Sequence, residues 1–452
     1  VVSIPREKEF KTELMLNLKY KNYLLILLTV VAVFNFLDRF VLSLLLEPIK
    51  QELQLSDSQL GFLTGFAFAL FYAVAGIPIA RWADRGNRNS IISATTALWS
   101  AMVALCGFVS NFTQLLLVRV GVAVGEAGCL PPAQSLIADY FDRAERPRAM
   151  SIYWMCVPIA TIIAYLGGGW LAENFGWRIT LMTIGVPGIL LAILVKLTLH
   201  EPRLEKPVNL AIKQPSLKAV LNKLWQQRTF RHIVTAFCVG NFFGMGISQW
   251  LPTFFIRSHD MELGQLGAWL AFVWGAFGLL GNYMGGALTT YYASHRESLQ
   301  LRSVAVVHVI AAVLYLMVYF SANKYIALAC FAGVVFSFSL TFGPIFSAIQ
   351  SLLSHRIRSV ALAMIFMLAN LIGFGLGPLA TGILSDLLAP IFDKESLRYA
   401  LALLSPGYLW VAYHYWRAGD MIEEDIRLVE LGSETIDKYQ ADTPKPSHGN
   451  VI

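Results

Sequence analysis

The chain has 452 residues, of which 56% are hydrophobic and 14% charged, with a mean hydropathy of +0.58 and a formal net charge of +6. Soluble globular proteins carry about 25% charged residues, so this composition excludes a string of soluble domains and leaves room for about twelve crossings of a ~30 Å bilayer core. The positive residues lie in short connectors and tails and not in a continuous stripe, which argues against nucleic acid as a partner.

The five cysteines, Cys106, Cys129, Cys156, Cys238 and Cys330, form no paired motif, so neither a disulfide framework nor a metal site is expected. No GxxxxGK[ST] loop and no nucleophile–base–orienter set is legible, so neither a cofactor nor an enzymatic role is expected. Arg6, Lys8, Lys11, Lys19 and Lys21 precede the first apolar run and place the N-terminus in the cytoplasm. That run, 23–46, reads as a retained membrane anchor, without a short apolar leader or cleavage signal before it. It carries Asn35 and the adjacent charges Asp38 and Arg39. An acid and a base at that depth are expensive in lipid and persist where they face a bundle interior or a polar pathway.

Span 2 (57–82) follows a Ser56-x-x-Gln59 start signal, and Gly61, Gly65 and Gly76 suit it to close helix packing. It ends at an inner loop with Asp84, Arg85, Gly86 and Arg88, and span 3 (89–109) is uncharged. Span 4 (112–140) carries Arg119, Glu126 and the pair Pro131-Pro132, which lacks two helix donors and predicts a bend or break. Span 5 ends near Gly167-Gly168-Gly169, and a short outer turn, Glu173 to Gly176, leads into span 6. Lys196 is close enough to the inner end to snorkel.

Residues 200–228, with Pro202, Pro207 and Pro215, form the longest inner linker, and six more spans follow between 229 and 416. The chain thus divides into an inner N-terminal segment (1–21), a six-helix bundle (22–199), an inner linker (200–228), a second bundle (229–417) and a solvated inner tail (418–452). Of 35 Lys and Arg, 26 fall in the assigned inner segments and six in outer ones. This bias and the even span count put both termini in the cytoplasm. Pro132-x-x-Ser135 resembles Pro344-x-x-Ser347, and Gly167 resembles Gly377, at similar separations. Duplicated halves around a central cavity suit alternating access.

Span 2's Ala80-x-x-x-Asp84-Arg85-Gly86 loop resembles the inner loop motif of the major facilitator superfamily, with Ala80 in place of its first Gly. Gly286 and Leu288 keep part of the same motif in the second half, where Thr290 and Tyr291 replace its acid and base. Asn35-Phe36-Leu37-Asp38-Arg39-Phe40, with Asp84 to Arg88 and Arg119…Gly125-Glu126-Ala127, resembles the spinster-type lipid transporters of that superfamily. The resemblance covers essentially residues 20–417. It implies an all-α integral membrane protein of the bacterial inner membrane, with twelve helices in two six-helix bundles. It also implies movement of a lysolipid or sphingosine-phosphate-like amphiphile, coupled to protons.

Several roles follow as expectations. Asp38 and Arg119 sit at matching depths, roughly 10–12 Å from the outer ends of their spans. Glu126, two turns further in, is the leading proton acceptor, with Asp38 second. Asp38 with Arg119, or Arg39 with Glu126, are alternative pairings between which sequence does not choose. Arg119 and Arg39 are also head-group candidates, with Arg119 preferred. Asn35, Asn241, Gln249, Asn282 and Asn370 are polar cavity candidates, and Phe34, Tyr72, Tyr165, Phe243, Trp250 and Trp274 are apolar ones. His308 reads as a packing residue. Asp84, Arg85 and Arg88 form a candidate conformational latch. Pro131, Pro132, Gly167, Gly373, Gly377, Pro378 and Gly382 are assigned to packing and bending.

Expected partners are a lipid-like substrate, protons and membrane lipids, around a monomer. A proton-coupled multidrug or small organic anion transporter is the competing reading. A lipid scramblase or membrane receptor represents a different class.

Overall fold

The computed structural model describes residues 7–142, 144–202, 225, 227–293, 296–353 and 358–441, with side chains excepted at 7–18, 84–85, 358–363 and 428–441. These residues contain helices and turns and no strand. Among the described residues, ten helical stretches are long and apolar enough to cross a membrane. We number them α1 (Lys19–Leu53), α2 (Asp57–Ala83), α3 (Arg88–Phe108), α4 (Phe112–Tyr140), α5 (Arg146–Thr198), α6 (Arg228–His259), α7 (Leu263–Ala293), α8 (Glu297–Phe320), α9 (Lys324–Ser351) and α10 (Met364–Arg427).

Ten stretches replace the twelve spans read from sequence because two adjacent pairs join without a loop. α5 and α10 contain 53 and 64 residues, or roughly 80 and 95 Å of helix at 1.5 Å per residue. Each contains a sharp break. In α5 it is Gly176, at φ 78° and ψ 166°, a conformation that glycine adopts without a Cβ clash. In α10 it is Asp393, at φ 49°, opening a short 3₁₀ turn, Asp393–Glu395.

Local caps start the helices where the sequence signals stood. Ser56 and Gln59 complete a capping box at the start of α2, and Asn87, Asn111 and Asn323 accept from backbone amides opening α3, α4 and α9. Each such cap satisfies donors that a helix end otherwise leaves unpaired. α1 is the most enclosed stretch: Leu28, Val31, Val41, Leu44, Leu45 and Leu46 are all buried. On α5, by contrast, Leu190, Ile193 and Leu197 are exposed, an apolar stripe suited to lipid.

Four stretches carry one π-helical segment each: Phe62–Ala67 in α2, Ile163–Gly167 in α5, Val273–Phe277 in α7 and Leu371–Leu376 in α10. A π turn lodges an extra residue in the helix and weakens its regular ladder. The segments of α2 and α10 meet across the two halves. A Cβ on Gly65 would lie 2.8 Å from the Gly375 carbonyl oxygen, and one on Gly61 2.9 Å from the Cα of Leu379. α5 and α7 meet similarly, where a Cβ on Gly267 would lie 3.1 Å from the Tyr165 carbonyl carbon.

Glycine assignments shift by a residue or a turn. Gly373, Gly377 and Gly382 make close approaches, to Asn241, Gly246 and Asp57 respectively. Gly76 has nothing within 4 Å of a built Cβ, and Gly167 has only Ile163, at 4.0 Å. The close contacts expected of Gly167 belong to Gly168, against Val41, and Gly169, against Leu263. Its π turn rotates Gly167 away from the neighbouring helices.

The halves are tied together at one end, where α1 finishes and α2 begins. Arg257 of α6 donates to both Asp57 oxygens at 2.8 Å and to Glu47 at 2.6 Å. Lys50 and Ser385 also reach Asp57, each at 2.7 Å. Asp386 accepts from the backbone amides of Asp57 and Ser58, at 3.0 and 2.7 Å. A forked guanidinium–carboxylate contact is among the stronger polar interactions, and here it bridges residues two hundred positions apart.

Candidate functional site

α4 is built to hold two charges and then stop. Asn111 caps its start, Arg119 and Glu126 lie two turns apart, and the first helical segment ends at Glu126. Turn residues 127–129 follow, and helix resumes at Leu130 with proline in its first positions. The break forecast from Pro131-Pro132 therefore occurs just before them. Proline is tolerated in a first turn, where its missing N–H has no partner to lose, so the pair restarts the helix and the interruption falls beside Glu126. Gly125 and Gly128 press this region onto Trp99 and Thr95 of α3.

Both pairings left open by the sequence are made at once. Arg119 Nη1 donates to Asp38 Oδ2 at 2.8 Å, and Arg39 Nε donates to Glu126 Oε2 at 2.6 Å. Arg39 Nη2 also contacts that same Glu126 oxygen. Adjacent residues on α1 point about 100° apart, which lets Asp38 and Arg39 engage different turns of α4. Phe68 of α2 lies against both guanidinium groups, 4.8 Å from Arg39 and 5.6 Å from Arg119. Phe36 and Tyr72 flank Arg39 at 5.6 and 5.3 Å. Ring faces stabilise cations in this way.

The network is not saturated. Asp38 Oδ1, Glu126 Oε1, Arg119 Nε and both polar side-chain atoms of Asn35 are buried without a hydrogen-bond partner. Its members also differ in access: the Arg39 side chain is 19% exposed, whereas Arg119 is 3% and Asp38 and Glu126 are 0% exposed. Of the two head-group candidates, Arg39 is therefore the more accessible. Arg39 occupies the accessible edge because α1 turns it toward Phe36 and Tyr72, while Arg119 points inward to Asp38.

The second half contributes an apolar cavity of about 210 Å³ between α6, α7, α8 and α9, with Tyr415 of α10. Trp274, Phe331, Phe338, Phe342 and Tyr315 form much of its wall, with Asn241, Ser248 and Thr341 as polar points. Asn241 donates to the Phe237 carbonyl at 2.7 Å. His308 also lines it, with Nδ1 2.8 Å from the Val304 carbonyl and its ring against Phe338 and Tyr415. That placement matches a packing residue.

Other candidates are dispersed. Trp250 is fully buried and donates to the Pro378 carbonyl at 2.9 Å, so it seals a helix joint instead of lining the cavity. Tyr165 is buried 3.4 Å from Ser43, and Phe243 packs on Tyr408. Phe34 and Gln249 are half-buried, while Asn282 and Asn370 are exposed. Within the candidate latch, Arg88 is buried and pairs with Glu201 and with Asp139 at 2.7 Å. Asp139 belongs to the first half and Glu201 to the linker that follows it. The side chains of Asp84 and Arg85 lie outside the described ones.

Sequence reasoning missed the Arg257–Asp57–Glu47 tie. Its signal was present: an arginine closing one apolar span and carboxylates near the ends of two others. Their convergence depended on how the halves pack.

The Major Facilitator Superfamily profile matches residues 28–409. The chain is 32% identical over 408 residues to an MFS-type efflux pump of Mycolicibacterium smegmatis, covering 88% of this chain and 92% of that one. It is 24% identical to the sphingosine-1-phosphate transporter SPNS2 of Xenopus tropicalis, over 83% of this chain and 76% of the relative. A crystal structure of a bacterial homolog of the human lysosomal transporter Spinster, inward-facing and unoccupied, superposes with a TM-score of 0.79. That match is 28% identical and covers 90% of this chain and 98% of the other. With its apolar helices and paired charges, the chain belongs to the major facilitator superfamily of integral membrane transporters.

Proposed function

We propose that this protein is a proton-coupled transporter of an anionic, lipid-like amphiphile, working by alternating access across a bacterial inner membrane. In this reading α5 and α10 each cross twice, giving twelve spans in two six-helix bundles with both termini cytoplasmic. The Arg257–Asp57 tie then closes the outer side, so the state is inward-facing.

The observation that carries the reading is the Arg39–Glu126 pair: a partly accessible cation held by a fully buried carboxylate. A proton on Glu126 removes the charge that holds Arg39. The freed guanidinium can then receive an anionic head group, and Asp38 keeps Arg119 neutralised meanwhile. Proton and anion therefore bind cooperatively, which is the coupling free energy that a symport cycle needs. The apolar cavity walled by Trp274 and Phe338 supplies a place for the acyl chain, and the sphingosine-1-phosphate transporter among the relatives supports that substrate class.

The test is binding and flux of lysophosphatidic acid and sphingosine phosphate in purified protein and sealed proteoliposomes. Affinity is expected to rise as pH falls, and an imposed proton gradient is expected to drive accumulation. Affinity that falls with pH would overturn the cooperative scheme in favour of exchange. Equal flux of unrelated hydrophobic cations would favour the multidrug reading, which the mycobacterial efflux pump supports.

A further inference from the structure

A second cavity, of about 430 Å³, lies between the start of α6 and the final turns of α10, apart from the charge pairs and the apolar cavity. It is lined by Arg228, Arg231, His232, Thr235, His414, Arg417 and Met421. No acidic residue is among these. Arg417 Nη1 is 3.3 Å from Asp420, which Arg302 also holds at 2.9 Å. The nearby carboxylate Asp425 accepts from the Thr229 amide at 3.0 Å. No described carboxylate pairs with Arg228 or Arg231.

The two imidazoles meet Nδ1 to Nδ1 at 2.8 Å. One ring must donate there and the other accept, and the accepting ring then carries its own proton on Nε2. The pair therefore keeps at least one N–H free for an acceptor. Trp225, Trp410, Tyr413 and Trp416 are all exposed on the same two chain segments, the pattern of side chains that settle at a membrane–water boundary.

A basic recess with donors and no acid among its described lining residues, put at the inner boundary by the topology of the transport reading, fits a phosphate attached to lipid. We propose that this recess binds the phosphate head group of an anionic phospholipid of the inner leaflet. Arg228 and Arg231 supply the principal charges and the His232–His414 pair adds a donor. The bound lipid braces α6 against α10 in the second half.

The test is native mass spectrometry of the purified full chain titrated with phosphatidylglycerol, with phosphatidylcholine and with inorganic phosphate. Phosphatidylglycerol is expected to be retained in preference to phosphatidylcholine, and equimolar inorganic phosphate is expected not to displace it. The R228Q/R231Q protein is expected to bind phosphatidylglycerol about 30-fold more weakly, from two losses of about 1 kcal/mol. R228K/R231K is expected to retain most of the binding.

Equal retention of both lipids, displacement by inorganic phosphate, or unchanged binding in folded R228Q/R231Q protein would each overturn the proposal. If that variant fails to fold, the comparison of lipids and phosphate on the native chain still decides. The readout is lipid retention and not transport, so either outcome leaves the transport reading untouched.

Discussion

Arg257 forks onto both carboxylate oxygens of Asp57, each contact 2.8 Å long, and thereby joins the two halves of the protein. Both side chains are nearly enclosed, at 8% and 2% exposure. Removing Arg257 takes the fork from Asp57, which keeps Lys50 and Ser385 at 2.7 Å, and takes its cation from Glu47. That loss weakens the closed end alone, since separating the halves would wet both carboxylates.

Arg257→Gln is therefore expected to shift the population toward the state open at that end. Spin-label distances across residues near 54 and 260 should lengthen, while the distance across the opposite end shortens. An unchanged distribution would show that the tie follows closure and does not maintain it.

Glu126→Gln is expected to mimic the protonated site. Head-group affinity should become high and independent of pH, exchange of substrate across the membrane should persist, and gradient-driven accumulation should be lost. Flux and binding in proteoliposomes at two pH values separate these outcomes. Retained accumulation would move the coupling proton away from Glu126.

Asp38→Asn should destabilise the protein by about 3–5 kcal/mol, because Arg119 is buried and Asp38 is its close carboxylate partner. Adding Arg119→Gln should recover much of that loss, a coupling that a double-mutant cycle of thermal unfolding measures. Simple addition of the two effects would deny the pair its structural role.

Gly267→Leu places a side chain where a Cβ alone would lie 3.1 Å from the Tyr165 carbonyl carbon and 3.2 Å from the Gly169 Cα. α5 and α7 cannot approach as closely, so transport is expected to fall at least tenfold while the purified protein remains folded. Spin-label distances should report separated halves.

Gly244→Leu fills the apolar cavity with little crowding elsewhere, since the nearest atom to its built Cβ is the Tyr408 hydroxyl at 3.5 Å. Long-chain substrates should lose affinity by about 10-fold, corresponding to roughly 1.4 kcal/mol, and short-chain analogues much less. Equal losses for both would place the chain elsewhere.

That the chain is helical and apolar was legible in the amino acids alone, because apolar runs of ~20 residues satisfy their backbone in lipid as helices. The sequence also singled out Asp38, Arg39, Arg119 and Glu126, since charges inside such runs need partners at their own depth. Which charge met which was a matter of tertiary structure: two adjacent residues on α1 can face either turn of α4, and only packing on Phe68 and α3 made both pairs coexist. The same holds for Arg257 and Asp57, whose separation of 200 positions leaves no periodic trace of their meeting. Packing likewise decided that Gly168 and Gly169, and not Gly167, approach other helices, because a π turn rotates the faces after it and leaves hydrophobicity unchanged.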